Sequence, residues 1–358
     1  GETVSKAKLS IEIIIRRLTS SIVRKFYKSP IVMLILLMFI IMFPGMITGS
    51  STVAVLSAGA IVAPILIMMG IPNPKTGAII AIGAIMGMAA PPVNIPAMLI
   101  AGGVDMPYIG FEGPLLFLTV PCAIFTVLFL GLKDSKKVDF ENIKGKLNYE
   151  TYNEYGLKLY LPLIVLVVLM IITRAMPTVV PNLGMPLIFL ISSAVGIFTG
   201  KKFNLKNTLV ESMKTTIPVL GKLMGVGMFI QIMTLTGVRG FIVNNALNLN
   251  LAMLYIAIIV ILPAFGAVSS YGGASVLGVP FLLALLSGNQ IVTAATLSFI
   301  ASLGDLMPPT ALAGNYSAQI VNEKYSEVLK FAAIPFFVCL GFALLCLLTS
   351  NKLGFLIF

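Results

Sequence analysis

The chain has 358 residues, 58% of them hydrophobic and only 10% charged, with a mean hydropathy of +1.04 and a formal net charge of +11. Soluble globular domains carry about 25% charged residues, so a soluble fold is excluded, and the lack of histidine removes most zinc, haem and general-base chemistry. The basic excess collects in the loops between apolar runs, as the positive-inside rule expects, and not in the single stripe that binds nucleic acid.

In chain order, residues 8–28, KLSIEIIIRRLTSSIVRKFYK, mix apolar and basic positions at helical spacing. That pattern makes 1–29 an amphipathic arm lying in the membrane interface. The chain opens at Gly1 with no methionine and no signal peptide. For a protein of this kind, that predicts an amino-terminal truncation with spanning helices upstream. A membrane-spanning helix needs roughly 20 apolar residues. Apolar arms at 31–48 and 53–70 flank the tip MITGSS and form a first hairpin, 30–70. A broken helix over 76–104 and a helix over 114–132 complete a first repeat, 30–132. The loop 133–158 holds six lysines. Scaffold helices and a second arm (RGFIVNNALNLN, 239–250) fill 159–250. A second hairpin (251–287), broken helix (291–320) and final helix (328–349) make up a second repeat, 251–349. Cys122, Cys339 and Cys346 lie inside apolar runs and read as small core residues.

The two repeats match in their irregularities. Each has a Gly/Ser tip, MITGSS or AVSSYGGAS, a returning arm with a proline (Pro64, Pro280), and a Gly-x-x-x-Pro-Pro break at Gly87–Pro92 or Gly304–Pro309. Double proline deletes two backbone donors and clashes with the preceding turn, so a helix must break there. Arms of about 14 to 18 residues joined by a polar tip suit re-entrant hairpins better than pairs of full spans. Irregular backbone at membrane depth is tolerated where it lines a cavity or is buried in protein, which predicts tip and break facing each other. With the basic start and the loops bearing Lys133, Lys136, Lys137, Lys144, Lys146, Lys158, Lys201, Lys202 and Lys206 on the cytoplasmic side, the hairpins enter from opposite faces. That is the inverted repeat of secondary transporters.

The candidate site follows from those features. Thr48, Ser50 and Ser51 at the first tip, and Ser269, Ser270 and Ser275 at the second, supply hydroxyls; the breaks supply carbonyls for a hard cation such as Na⁺. Helix N-termini at the tips turn their positive ends toward an anion. The same small residues also serve close helix packing. Asp305, an acidic residue inside a predicted membrane segment, is either a coupling carboxylate or a cap on the half-helix after the break. Asn94 and Asn315 follow the double prolines and are candidates to line the site. Lys222 either snorkels or meets substrate, and Gln231 and Thr234 either glue helices or reach a hairpin. Ser51→Ala or Gly304→Leu is expected to abolish coupled uptake and leave expression intact.

Two other classes were weighed. An intramembrane aspartyl protease needs two carboxylates sharing a proton, and Asp105, Asp134 and Asp139 fall in loops. A channel favours rings of identical segments, whereas paired inverted hairpins favour alternating access.

The run GMITGSSTVAVLSAGAIVAPILIMMGI…MGMAAPPVNIPAMLIAGG, followed by FEGPLLFLTVPCAIFTVLFLG, resembles the large membrane subunit of tripartite ATP-independent periplasmic (TRAP) transporters. LGDLMPPTALAGN resembles that family's second Gly-x-x-x-Pro-Pro, and the likeness covers most of residues 8–349. Val93 stands where the family usually has serine. The resemblance implies an all-α integral membrane fold, an inverted-repeat elevator-type transporter with two re-entrant hairpins and two broken helices. It implies two Na⁺ sites, one from Ser50, Ser51, Gly87 and Pro91, the other from Gly272, Gly304, Met307 and Thr310. It implies a small carboxylate held between the tips near Thr48, Ser51, Asn94, Ser269, Ser270, Ser275 and Asn315. Also implied are a small membrane subunit, an extracytoplasmic solute-binding protein and a bacterial cytoplasmic membrane with its lipid. A stand-alone citrate, dicarboxylate or gluconate symporter of the same superfamily is the alternative.

Overall fold

The structure is a computed structural model, and it describes residues 29–135, 161–175, 184–199 and 205–357, together with Thr19, Ile22, Lys25 and Phe26. Most of the 1–29 arm and most of the 133–158 loop therefore lie outside the described residues. Among the described residues every element is helical. The chain divides into two compact units, Gly1–Ser20 with Glu141–Thr216, and Ser21–Phe140 with Ile217–Phe358.

In the larger unit, α1 (Pro30–Thr48) and α2 (Ser51–Met68) pack as a helical pair around the turn Gly49–Ser50. Gly49 takes the left-handed conformation, φ 65°, that closes the end of α1, where a side chain would be strained. Ser50 then caps α2 by accepting from the Val53 N–H at 3.4 Å. Helix α3 (Asn73–Ala89) stops at the prolines, and α4 (Ile95–Gly102) resumes after them. Helix α5 (Glu112–Gly131) follows, and Lys75 at the start of α3 pairs with Asp134 beyond its end at 2.5 Å.

The smaller unit holds α6 (Leu161–Ala175) and α7 (Gly184–Thr199), packed on each other with Ser192 Oγ donating to the Pro162 carbonyl at 2.6 Å. Helix α8 (Leu205–Leu235) runs from that unit into the larger one.

The larger unit then repeats its first architecture. Helix α9 (Val238–Asn248) packs on the returning arm of a second pair, α10 (Leu251–Gly266) and α11 (Ser270–Ala284). Helix α12 (Gln290–Leu303) breaks, α13 (Leu312–Ile320) resumes, and α14 (Tyr325–Leu348) completes the repeat. Both Pro91–Pro92 and Pro308–Pro309 peptide bonds are cis. Both returning arms begin with a serine-capped α turn and then widen into a π turn, Val55–Gly59 and Ala274–Gly278, at the same distance from Ser50 and Ser269. The two halves thus share caps, bulges and breaks.

Four described helices are long and apolar enough to cross a membrane: Pro30–Thr48, Ser51–Met68, Glu112–Gly131 and Tyr325–Leu348. The arms of the first pair have 19 and 18 residues and reach spanning length by length and composition, whereas α10 and α11 are shorter.

The core is the broken helices themselves. Thr76 to Ala90 and Val292 to Leu306 are buried almost without interruption. Glycine lets other backbones approach them. A Cβ on Gly45 would lie 2.8 Å from the Gly87 carbonyl carbon, and one on Gly87 would run into Met42; in the second half Gly266 and Gly304 meet in the same way. Each incoming arm therefore seats on its own broken helix, α1 on α3 and α10 on α12. The returning arms pack on their own broken helices too, α2 on α3 and α11 on α12, and in addition reach across to the other half. The π turn of α2 packs on α13, and that of α11 packs on α4, where Gly278 faces Ile100 and Gly103 faces Val279.

Candidate functional site

Each tip is tied to the break of its own half through backbone groups. The Val93 N–H after the first double proline donates to the Met46 carbonyl at 3.1 Å. In the second half, Thr310 donates to the Ala267 carbonyl from both its N–H (3.3 Å) and its Oγ1 (2.6 Å). These bonds serve donors that the prolines would otherwise orphan inside an apolar body.

Asparagines staple the breaks. Asn94, wholly buried, caps α4 by accepting from the Ala97 N–H at 2.8 Å, and its Nδ2 donates to the Ala89 carbonyl at 2.7 Å and to Ser298 Oγ at 3.3 Å. Asn315 Nδ2 donates back to the Thr310 carbonyl at 3.0 Å. Tyr325 OH, a residue the sequence reading passed over, holds the Leu306 carbonyl at 2.7 Å. The side chains of Asn94 and Asn315 thus hold the irregular backbone in place.

The remaining candidates separate by what they touch. Thr48 Oγ1 donates to the Pro44 carbonyl at 2.7 Å and accepts from the Ser50 N–H. Ser269 caps α11 by accepting from the Gly272 N–H at 3.2 Å, and Ser275 Oγ bonds the Tyr271 and Gly272 carbonyls of its own helix. Ser270 is buried in the first turn of α11. Among the proposed main-chain ligands, the Gly304 carbonyl accepts from the Met307 N–H at 2.8 Å and the Met307 carbonyl from the Ala311 N–H at 3.0 Å. The Gly87 carbonyl accepts from the Ala90 N–H at 3.3 Å, one residue before Pro91. Each such oxygen has a second lone pair. Gly304, Met307 and Thr310 gather at the second break, while Gly272 sits in the turn beyond Ser269. Gln231 and Thr234 lie at exposed positions of α8, and the Lys222 side chain lies outside the described residues.

The two halves meet at one oxygen-rich point. Ser51 Oγ, on the first tip, donates to Asp305 Oδ2, on the second break, at 2.5 Å. Both residues are buried, Asp305 with 4% of its surface exposed. Tyr271, on the second tip, donates from its phenol to the Gly49 carbonyl of the first tip at 2.8 Å. Sequence reading paired each tip with its own break; these bonds run between halves. The chemistry offered is a buried carboxylate, a hydroxyl, a phenol and backbone carbonyls, all hard oxygen donors, enclosed by apolar helices.

With that geometry established, comparison with known families places the chain. The family described as "Tripartite ATP-independent periplasmic transporter, DctM component" matches residues 10–353. Among curated proteins, none matches the chain.

Proposed function

The chain belongs to the DctM component family of tripartite ATP-independent periplasmic transporters, and from that premise we propose that it couples Na⁺ entry to uptake of a small carboxylate. It is a multi-pass membrane transporter subunit and not an enzyme. In this reading it is the large permease subunit in a bacterial cytoplasmic membrane. It works with a small membrane subunit and receives solute from an extracytoplasmic binding protein, as its family usually does.

The observation that carries the reading is the Ser51–Asp305 bond at the junction of the two halves. A carboxylate at membrane depth is expensive and marks an ion or substrate path. Here it faces a tip hydroxyl beside two stretches of irregular backbone, the surroundings in which transporters hold ions. Na⁺ is carried on oxygens from Ser50, Ser51, Gly87 and Pro91, and from Gly304, Met307 and Thr310 with Gly272. The solute's negative charge is met by the bound cations, by tip hydroxyls and by the positive ends of α2 and α11, since neither tip has an arginine. Transport follows an elevator path in which both tip-and-break pairs move as one body, consistent with the crossed packing of their returning arms.

Uptake by the full-length protein in liposomes, with its family partners, tests this over a panel of carboxylates with and without an inward Na⁺ gradient. Accumulation that requires the gradient supports the proposal. Accumulation driven equally by a proton gradient without Na⁺ assigns Asp305 to proton coupling instead, and passive flux without any coupling ion favours a channel.

A further inference from the structure

Two of the positions at which the repeats differ lie at the junction. Two residues after its capping serine, the first tip has Thr52 and the second has Tyr271; one residue after its packing glycine, the first break has Met88 and the second has Asp305. The second half alone thus carries the long polar side chains that reach the opposite tip, Tyr271 to Gly49 and Asp305 to Ser51. Tyr271 is half-buried, and its phenol spans from one tip to the other.

From this asymmetry we infer that Tyr271 is a substrate-binding residue. Its hydroxyl is the donor that a carried carboxylate accepts, and its bond to the Gly49 carbonyl is the resting contact that the solute displaces. The inference rests on the proposed transport function. A protonated phenol is neutral and donates one hydrogen bond. A carboxylate is the better acceptor, because a charge-assisted bond is roughly twice as strong as one to a neutral carbonyl. The exchange therefore runs toward the solute, and it recognises an anion without a buried arginine. It also releases the first tip from the second at the moment the site fills.

The test uses Thr52→Cys as a reporter, since Thr52 is half-buried on the first tip and outside the bonds described. Its rate of labelling by a maleimide is measured on the full chain in membranes, with the unsubstituted chain giving the background from buried Cys122, Cys339 and Cys346. Adding Tyr271→Phe, which keeps the ring and removes the donor, should speed labelling about tenfold, as loss of one buried hydrogen bond implies. Acetate, pyruvate, succinate and malate are then titrated, and at least one should change the labelling rate with an apparent affinity that Tyr271→Phe weakens about tenfold. An unchanged rate in Tyr271→Phe overturns the tie between tips. A panel without effect, or an affinity that Tyr271→Phe leaves intact, overturns the donor role. Na⁺-driven uptake, measured separately, decides the transport function: its failure alongside normal labelling effects would refute transport and not the tie.

Discussion

Gly304 shows how a single residue serves two ends. Its carbonyl is a candidate ion ligand, yet its Cα is pressed against Gly266 and the Pro263 carbonyl, with no space for a Cβ. The expectation that Gly304→Leu leaves expression intact is therefore corrected: the side chain would meet backbone, which does not yield as a flexible side chain does. Even Gly304→Ala should destabilise the protein by about 1–3 kcal/mol, as overpacking does, and thermal unfolding in detergent will show a lowered midpoint. Ser51→Ala behaves differently, since it removes one O–H and fills no space. It removes the Ser51 hydrogen bond to the buried Asp305 carboxylate, which costs about 1–3 kcal/mol. Na⁺-driven uptake should fall at least tenfold, and the unfolding midpoint should drop by no more than that of Gly304→Ala; uptake at the parental level would remove Ser51 from the site.

At the scale of elements, the breaks depend on side chains for bonds that the prolines removed. Asn94 serves the α4 cap, the end of α3 and Ser298 on α12 at once. Asn94→Ala should lower stability by about 1–3 kcal/mol, and Asn94→Asp, which keeps the cap but turns a buried carboxylate oxygen toward the Ala89 carbonyl, should lower it at least as much in the same unfolding assay. These elements were legible in the sequence because their causes are local. Double proline must end a helix, and a serine before an apolar run must cap one, wherever they stand. What each helix packs against was not legible. The arms are apolar on all sides, so periodicity marks no preferred face. Tyr271 was passed over for the same reason: in SSYGGAS it looks like one more tip residue, and its partner lies 222 positions away.

On the scale of the whole molecule, the crossed returning arms turn two repeats into one body. Each broken helix bears both arms of its own half and also the π turn of the other half's returning arm, so neither half buries its apolar surface alone. The Ile100 side chain occupies the space where a Cβ on Gly278 would lie. Ile100→Cys vacates that space, and paired with Gly278→Cys it should form a cross-link under mild oxidation, seen as a mobility shift that reductant reverses. Absence of the cross-link in a folded double variant would contradict the crossed arrangement. Such a body, with the Ser51–Asp305 bond between its halves, is the unit that the proposed elevator path would carry. The most direct test is carboxylate accumulation in liposomes by the parent and by Asp305→Asn under an imposed Na⁺ gradient. The account predicts gradient-dependent accumulation by the parent that Asp305→Asn reduces at least tenfold. Undiminished Na⁺-driven accumulation by the variant would contradict it.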